Sequence, residues 1–206
     1  MSYGSHAEED DDVEIEEEYL GDYASIRSIV KEALPFQILA TLGGAVAGLI
    51  LVGMTDELEL IPGLIVIAPA VLGMRGNISC TLGSRLGSAI HMGLITKIEN
   101  NPELTNNILG SLLLGLIVSL ILGILGHSMT VLLGLESAGV LSLTLIAVLA
   151  GVSSGIILSV IAVLLAIGMF RFGFDPDNVV TPAIATIGDI VSILMIFLSA
   201  KVVLML

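Results

Sequence analysis

The chain has 206 residues, 55% of them hydrophobic and only 13% charged, with no Trp and a mean hydropathy of +1.05, far above the range of a soluble domain. A spanning helix takes about 20 apolar residues to cross roughly 30 Å of hydrocarbon, so there is room for about five spans and none for a soluble catalytic domain beside them. The formal charge of −13 belongs to one end, since ten of the twenty acids lie between Glu8 and Asp22 and the remainder sets ten acids against seven bases.

Residues 1–22, with Glu8 to Asp12 and Glu16 to Glu18, cannot bury apolar area and are expected to be a disordered, cytoplasmic acidic tail. No apolar run precedes Ala33, so the opening is neither a signal peptide nor a transit peptide. Residues 23–34 mix Ile26, Ile29, Val30 and Leu34 with Arg27, Lys31 and Glu32 at helical spacing, the pattern of a short interfacial helix. A first span is expected over about 35–54, ending at the acidic turn that holds Asp56, Glu57 and Glu59.

Pro62 suits the first position of a second helix, and the apolar pattern over 61–95 would make that helix about 50 Å long. Such a helix must tilt, protrude or break. Gly73-Met74-Arg75-Gly76-Asn77 is the expected break, because two glycines flank a charge and an amide that lipid does not tolerate. Asn101-Pro102-Glu103 supplies an N-cap, a proline at N1 and an acid in the first turn, which start a third span over 103–133. A fourth span covers 140–170, and a fifth, over 178–205, follows Asp175-Pro176-Asp177.

With the N-terminus inside, Arg27, Lys31, Lys97 and Arg171 all fall on the cytoplasmic side, which the positive-inside rule favours. The C-terminus is then outside, in a cell membrane. Lys201 departs from the pattern and is expected to snorkel to the headgroups, as is Arg85 near the inner end of span two. Gly44 and Gly48, Gly83 and Gly87, and Gly151 and Gly155 are small-xxx-small pairs that let helix backbones approach. Cys80 stands alone in an apolar stretch, a packing residue. His91 and His127 are single, without a His or Cys at ligand spacing, and are expected to pack.

One carboxylate lies near the midplane. Asp189 is about ten residues into span five, roughly 15 Å from its start, where a charge costs at least about 2.5–3.5 kcal/mol. It should therefore face a cavity, a cation or a partner, or stay protonated. Thr181, Ala185, Gly188, Ser192 and Ser199 form a small, polar stripe beside it, suited to a helix interface or a pore wall. Mg²⁺ is usually held by one or two carboxylates with several waters retained, so one Asp per subunit, doubled by two-fold symmetry, meets its needs. Arg75 and Asn77 are polar companions from span two, although Arg75 is equally explained by pairing with Asp189 or with freed carbonyls. Asp175 and Asp177 cap span five and also line the inner mouth, where acids concentrate cations.

Two segments, Pro69 to Asn77 with Thr81 to Leu86, and Asp175 to Asp189, resemble the two hallmark stretches of the MgtE-type magnesium transporter membrane domain, shared with the eukaryotic solute-carrier magnesium transporters. The resemblance covers the hydrophobic body from about residue 35 onward. It implies an all-α domain of five spans over 35–206 that works as a two-fold dimer, with spans two and five lining a central path. It implies that Asp189 is the metal residue, with Gly76, Asn77 and Ala185 beside it on the pore. The cargo implied is Mg²⁺, with Mn²⁺ or Co²⁺ as further candidates, and no cofactor. Thr181 stands where bacterial members often have Asn, and Arg75 follows the eukaryotic branch, which raises exchange coupled to Na⁺ or H⁺ alongside channel behaviour. The regulatory cytoplasmic domains of bacterial members have no counterpart in the acidic tail.

The expected partners are a second copy of the chain or a paralogue, Mg²⁺ and membrane lipid, not nucleic acid. Two other readings are a non-transporting membrane subunit and an intramembrane aspartyl protease. The latter fails on Thr186, which occupies the first Gly of the GxGD element, and on the want of a second mid-membrane Asp.

Overall fold

The computed structural model describes residues 26–95, 100–171 and 176–206. Among these residues six helices follow in order: α1 (Ile26–Gly53), α2 (Thr55–Leu60), α3 (Leu64–His91), α4 (Pro102–Leu132), α5 (Val140–Arg171) and α6 (Pro176–Leu204). The chain divides into two units, Met1–Leu39 and Ala40–Leu206. In the first, the described residues open α1; the second holds the helix packing.

Among the described residues four helices are long and apolar enough to cross a membrane: Leu64–His91, Pro102–Leu132, Val140–Phe170 and Val180–Leu204. The chain is thus an all-α integral membrane protein. In α1 the apolar stretch Gln37–Gly53 is shorter. The residues expected as an interfacial helix and a first span fall in this one helix, with Pro35 inside it.

α3 corrects a second expectation. It runs as unbroken α-helix through Gly73–Asn77, since Arg75 finds room in the neighbouring helices and the backbone has no need to unwind. Its 28 residues span about 42 Å, less than the pattern suggested, because Ile61–Gly63 belong to the preceding turn and Met92–Ile95 lie past its end. Gly63 has φ +95°, and a Cβ there would lie 2.9 Å from Leu143 Cδ1, so backbone freedom and space both demand glycine. The Pro62 carbonyl accepts from Ala138 N at 2.8 Å, tying this turn to the one before α5.

α3 packs against α4, α5 and α6, and α5 against α4 and α6. α4 is built inside out for water but correctly for lipid. Its buried face is Leu104, Ser111, Gly115, Ser119, Gly123, Gly126 and Thr130, nearly all small, while Leu109, Leu113, Ile117, Ile121 and Ile124 are exposed. Lipid is as apolar as Leu, so nothing drives large side chains inward, and small residues win the interface by close backbone approach. The hydroxyls of Ser111, Ser119 and Thr130 donate to carbonyls one turn back, those of Asn107, Gly115 and Gly126, which satisfies them inside the apolar medium.

The apolar core forms two clusters. One joins Leu64, Ile67 and Val71 of α3 with Leu143 and Ile146 of α5 and Ile193 and Ile196 of α6. The other joins Leu82 and Leu86 with Ala162, Ala166, Val180 and Ile184. Early α3 meets late α6 and late α3 meets early α6, so the two helices are antiparallel. Buried polar residues, Arg75, Ser79, Ser119, Ser154 and Ser192, lie in the middle part of the bundle.

Candidate functional site

Asp189 lies 13 residues after Pro176 and 15 before Leu204, about 20 Å and 22 Å from the two ends of α6. The carboxylate is therefore at mid-membrane depth. It is half-buried, and among the described residues it has no base or hydrogen-bond donor as partner. An unpaired acid at this depth is costly in hydrocarbon, so its open side is the informative one.

Close packing of α3 on α6 determines what stands opposite. The Cys80 thiol donates weakly to the Thr181 carbonyl at 3.6 Å, and a Cβ on Gly83 would lie 2.8 Å from Ile184 Cδ1 and 3.1 Å from Val180 Cγ1. Antiparallel register carries Asp189, about two turns beyond Thr181, toward the Gly73–Asn77 turn of α3. Gly73 is exposed and Gly76 half-buried, and a Cβ on either would meet nothing within 4 Å. Asn77 is exposed beside them and the Asn77 carbonyl accepts from Thr81 Oγ1 at 2.8 Å. Gly73, Gly76 and Asn77 thus lie near the level of Asp189 along α3, while Asn77 also lines a recess between α3 and α4.

Arg75 belongs to the other side of α3. It is 1% exposed and is seated between α4 and α5, where a Cβ on Gly115 would overlap Nη2 and one on Gly155 would overlap Nη1. Its Nε and Nη2 have no hydrogen-bond partner. The two glycines form a slot that admits the guanidinium into the bundle, so Arg75 packs against α4 and α5 without an acceptor there.

Burial varies along the expected stripe on α6. Thr181 and Ala185 are half-buried, whereas Gly188, Ser192 and Ser199 on the same face are buried. A Cβ on Gly188 would lie 3.8 Å from Leu158 Cδ1 of α5. Ser192 Oγ is buried without a partner. Asp175 lies outside the described residues, and Asp177 falls in the first turn of α6, one residue after its start. Among the described residues no three His, Cys, Asp or Glu converge as a metal cage.

Sequence reasoning missed two features. Lys201 does not merely snorkel: its Nζ lies 3.8 Å from Glu57 Oε1 of α2 and 4.5 Å from the Phe197 ring centroid. The receiving slot for Arg75 was missed as well, although its signal, Ser111-Gly115-Ser119-Gly123 at intervals of four, is visible in the sequence. The histidines pack as expected: His127 Nδ1 and Ser137 Oγ are 2.8 Å apart, and His91 meets the Phe170 ring edge-on at 5.8 Å.

Comparison with known proteins gives a consistent relationship. The family described as MgtE, divalent cation transporter, matches residues 68–199. Solute carrier family 41 member 2 of Xenopus laevis is 30% identical over 178 residues, 82% of this chain and 31% of the relative. Its Homo sapiens counterpart is 29% identical over 168 residues, 78% of this chain and 29% of the relative. Solute carrier family 41 member 3 of Rattus norvegicus is 27% identical over 169 residues, 78% of this chain and 36% of the relative. The chain therefore spans about a third of the length of these curated relatives.

Proposed function

Because the chain belongs to the MgtE family of divalent cation transporters, we propose that it moves Mg²⁺ across the membrane through a path shared by two copies. The observation that carries this reading is Asp189, a half-buried carboxylate near the middle of α6 with no cation beside it among the described residues. Mg²⁺ accepts one or two carboxylates and keeps several waters, so Asp189 from each of two copies supplies the fixed charge. Asn77 and the open backbone positions Gly73 and Gly76 supply neutral oxygens and room for the hydration shell.

Two-fold symmetry makes such a site isologous, the same face of α3 and α6 from both copies. α1 then forms the first of five spans, and the odd number puts the termini on opposite sides, with the N-terminus cytoplasmic. Arg75, one side of α3 away, adds a fixed positive charge behind the path and tempers its cation affinity, which suits an exchanger as well as a channel. Thr181 and Ala185 line the wall toward the start of α6, and Asp175 and Asp177 the mouth. Mn²⁺ and Co²⁺ are the competing cargoes.

The purified chain alone, reconstituted in liposomes loaded with a Mg²⁺ indicator, is expected to pass Mg²⁺, and Asp189→Ala is expected to abolish that flux. Equal flux in the variant would remove Asp189 from the path. No flux from the wild-type chain alone would favour a subunit that works only with a paralogue.

A further inference from the structure

The groove between α3 and the start of α4 carries charges that neither the helix packing nor the cation path uses. Two adjoining recesses open there, of about 190 Å³ and 390 Å³, and Arg85 lines both. Its side chain is exposed and has no acceptor among the described residues. Glu103, in the first turn of α4, stands on the opposite wall of the larger recess. Its Oε1 accepts from Asn107 Nδ2 at 3.0 Å, and its carboxylate forms no ion pair with Arg85. Ser84 and Ser88 bring two hydroxyls to the same recess. A cation and an anion thus face one cavity without neutralising each other.

The depth of the groove narrows the choice of occupant. The 28 residues of α3 span about 42 Å against roughly 30 Å of hydrocarbon, leaving about 6 Å of each end among the headgroups. Arg85 lies six residues before His91, the last residue of α3, hence about 9 Å from that end, and its long side chain reaches phosphate level. Glu103 follows Pro102, which opens α4 at the same end. Below the recess α4 exposes Leu109, Leu113 and Leu114, a surface for acyl chains.

We propose that this groove binds one phospholipid with a phosphoethanolamine headgroup. Arg85 and the Ser84 and Ser88 hydroxyls take the phosphate, and Glu103 takes the primary ammonium. Charge complementarity selects this occupant. A choline headgroup has no N–H to donate to Glu103, an anionic glycerol headgroup leaves Glu103 uncompensated, and free phosphate is repelled by it. The inference rests on membrane placement and not on the cation path, so either stands if the other falls.

The test uses the full chain, delipidated in mild detergent and offered phosphatidylethanolamine, phosphatidylcholine, phosphatidylglycerol or inorganic phosphate. Native mass spectrometry counts the molecules retained, and thermal unfolding gives the stabilisation. One phosphatidylethanolamine per chain is expected, bound about tenfold or more tightly than phosphatidylcholine, the factor one charge-assisted hydrogen bond supplies. Glu103→Gln is expected to make the two lipids equal, and Arg85→Gln to release both. Both residues are exposed, and circular dichroism checks that the variants keep their helix content. Equal binding of the two lipids by the wild-type chain, retention of inorganic phosphate or of no lipid, or an undiminished preference in Glu103→Gln would each overturn the proposal.

Discussion

Replacing Arg75 by Met is expected to stabilise the protein. The guanidinium is 1% exposed, with Nε and Nη2 unpartnered, so its desolvation is uncompensated in the slot, and an unbranched apolar side chain fills similar space. Replacing even a paired buried charge by apolar volume is neutral or gains about 1–4 kcal/mol in soluble proteins, an unpaired one has no Coulombic gain to lose, and each kcal/mol shifts the midpoint of a chain this size by about 2–4 °C. A rise of at least about 2 °C follows, even if transport suffers. Gly115 sharpens the test, because a Cβ there would overlap Nη2. Gly115→Ala is expected to cost about 1–3 kcal/mol by overpacking with Arg75 present and under about 0.5 kcal/mol in an Arg75→Ala background, a coupling that a double-mutant cycle reads directly. Far-UV circular dichroism in detergent follows the unfolding, with a thiol-reactive dye reporting exposure of Cys80, the one cysteine. A lower midpoint for Arg75→Met, or an equal cost of Gly115→Ala in both backgrounds, would refute the slot and show that the guanidinium has an acceptor elsewhere.

Gly123→Ala is expected to cost about 1–3 kcal/mol by overpacking, because its Cβ would meet the backbone at Thr144 Cα. Gly110→Ala, open on that side, should gain up to about 1 kcal/mol of helix propensity; the same unfolding assay compares them. Asn101→Ala removes the cap that accepts from Leu104 N at 3.0 Å and should cost about 1 kcal/mol, seen also as faster amide exchange in the first turn of α4. Lys201→Met breaks the pair with Glu57, in which the lysine side chain is 49% exposed and the glutamate 11%. A loss of about 0.5–1 kcal/mol is expected, and it should shrink in high salt.

Legibility of this fold tracks how local its causes are. Asn101-Pro102-Glu103 announces the start of α4 because a cap, a proline and an acid act within one turn, and the side chain of Asn101 indeed caps Leu104 N. The ends of α5 are set by apolar length in the same way. The continuity of α3 through Gly73–Asn77 was not legible, because the slot that receives Arg75 is supplied by Gly115 and Gly155, 40 and 80 residues later. The stripe on α6 shows a related limit: spacing places Gly188 and Ser192 on one face with Thr181, but how deeply each is covered, as Gly188 is near Leu158 of α5, depends on neighbouring helices. Asp189 itself was legible, since a single carboxylate at mid-membrane depth needs no tertiary information to stand out.

Mixed reconstitution of wild-type and Asp189→Ala chains tests the shared path most directly. The two forms are co-expressed at known ratios, purified together and assayed for Mg²⁺ uptake into liposomes. If two Asp189 carboxylates hold the cation between them, uptake falls as the square of the wild-type fraction and vanishes in the pure variant. Uptake that falls linearly would contradict a site shared across the two-fold axis, and uptake that does not fall would contradict the role of Asp189 altogether.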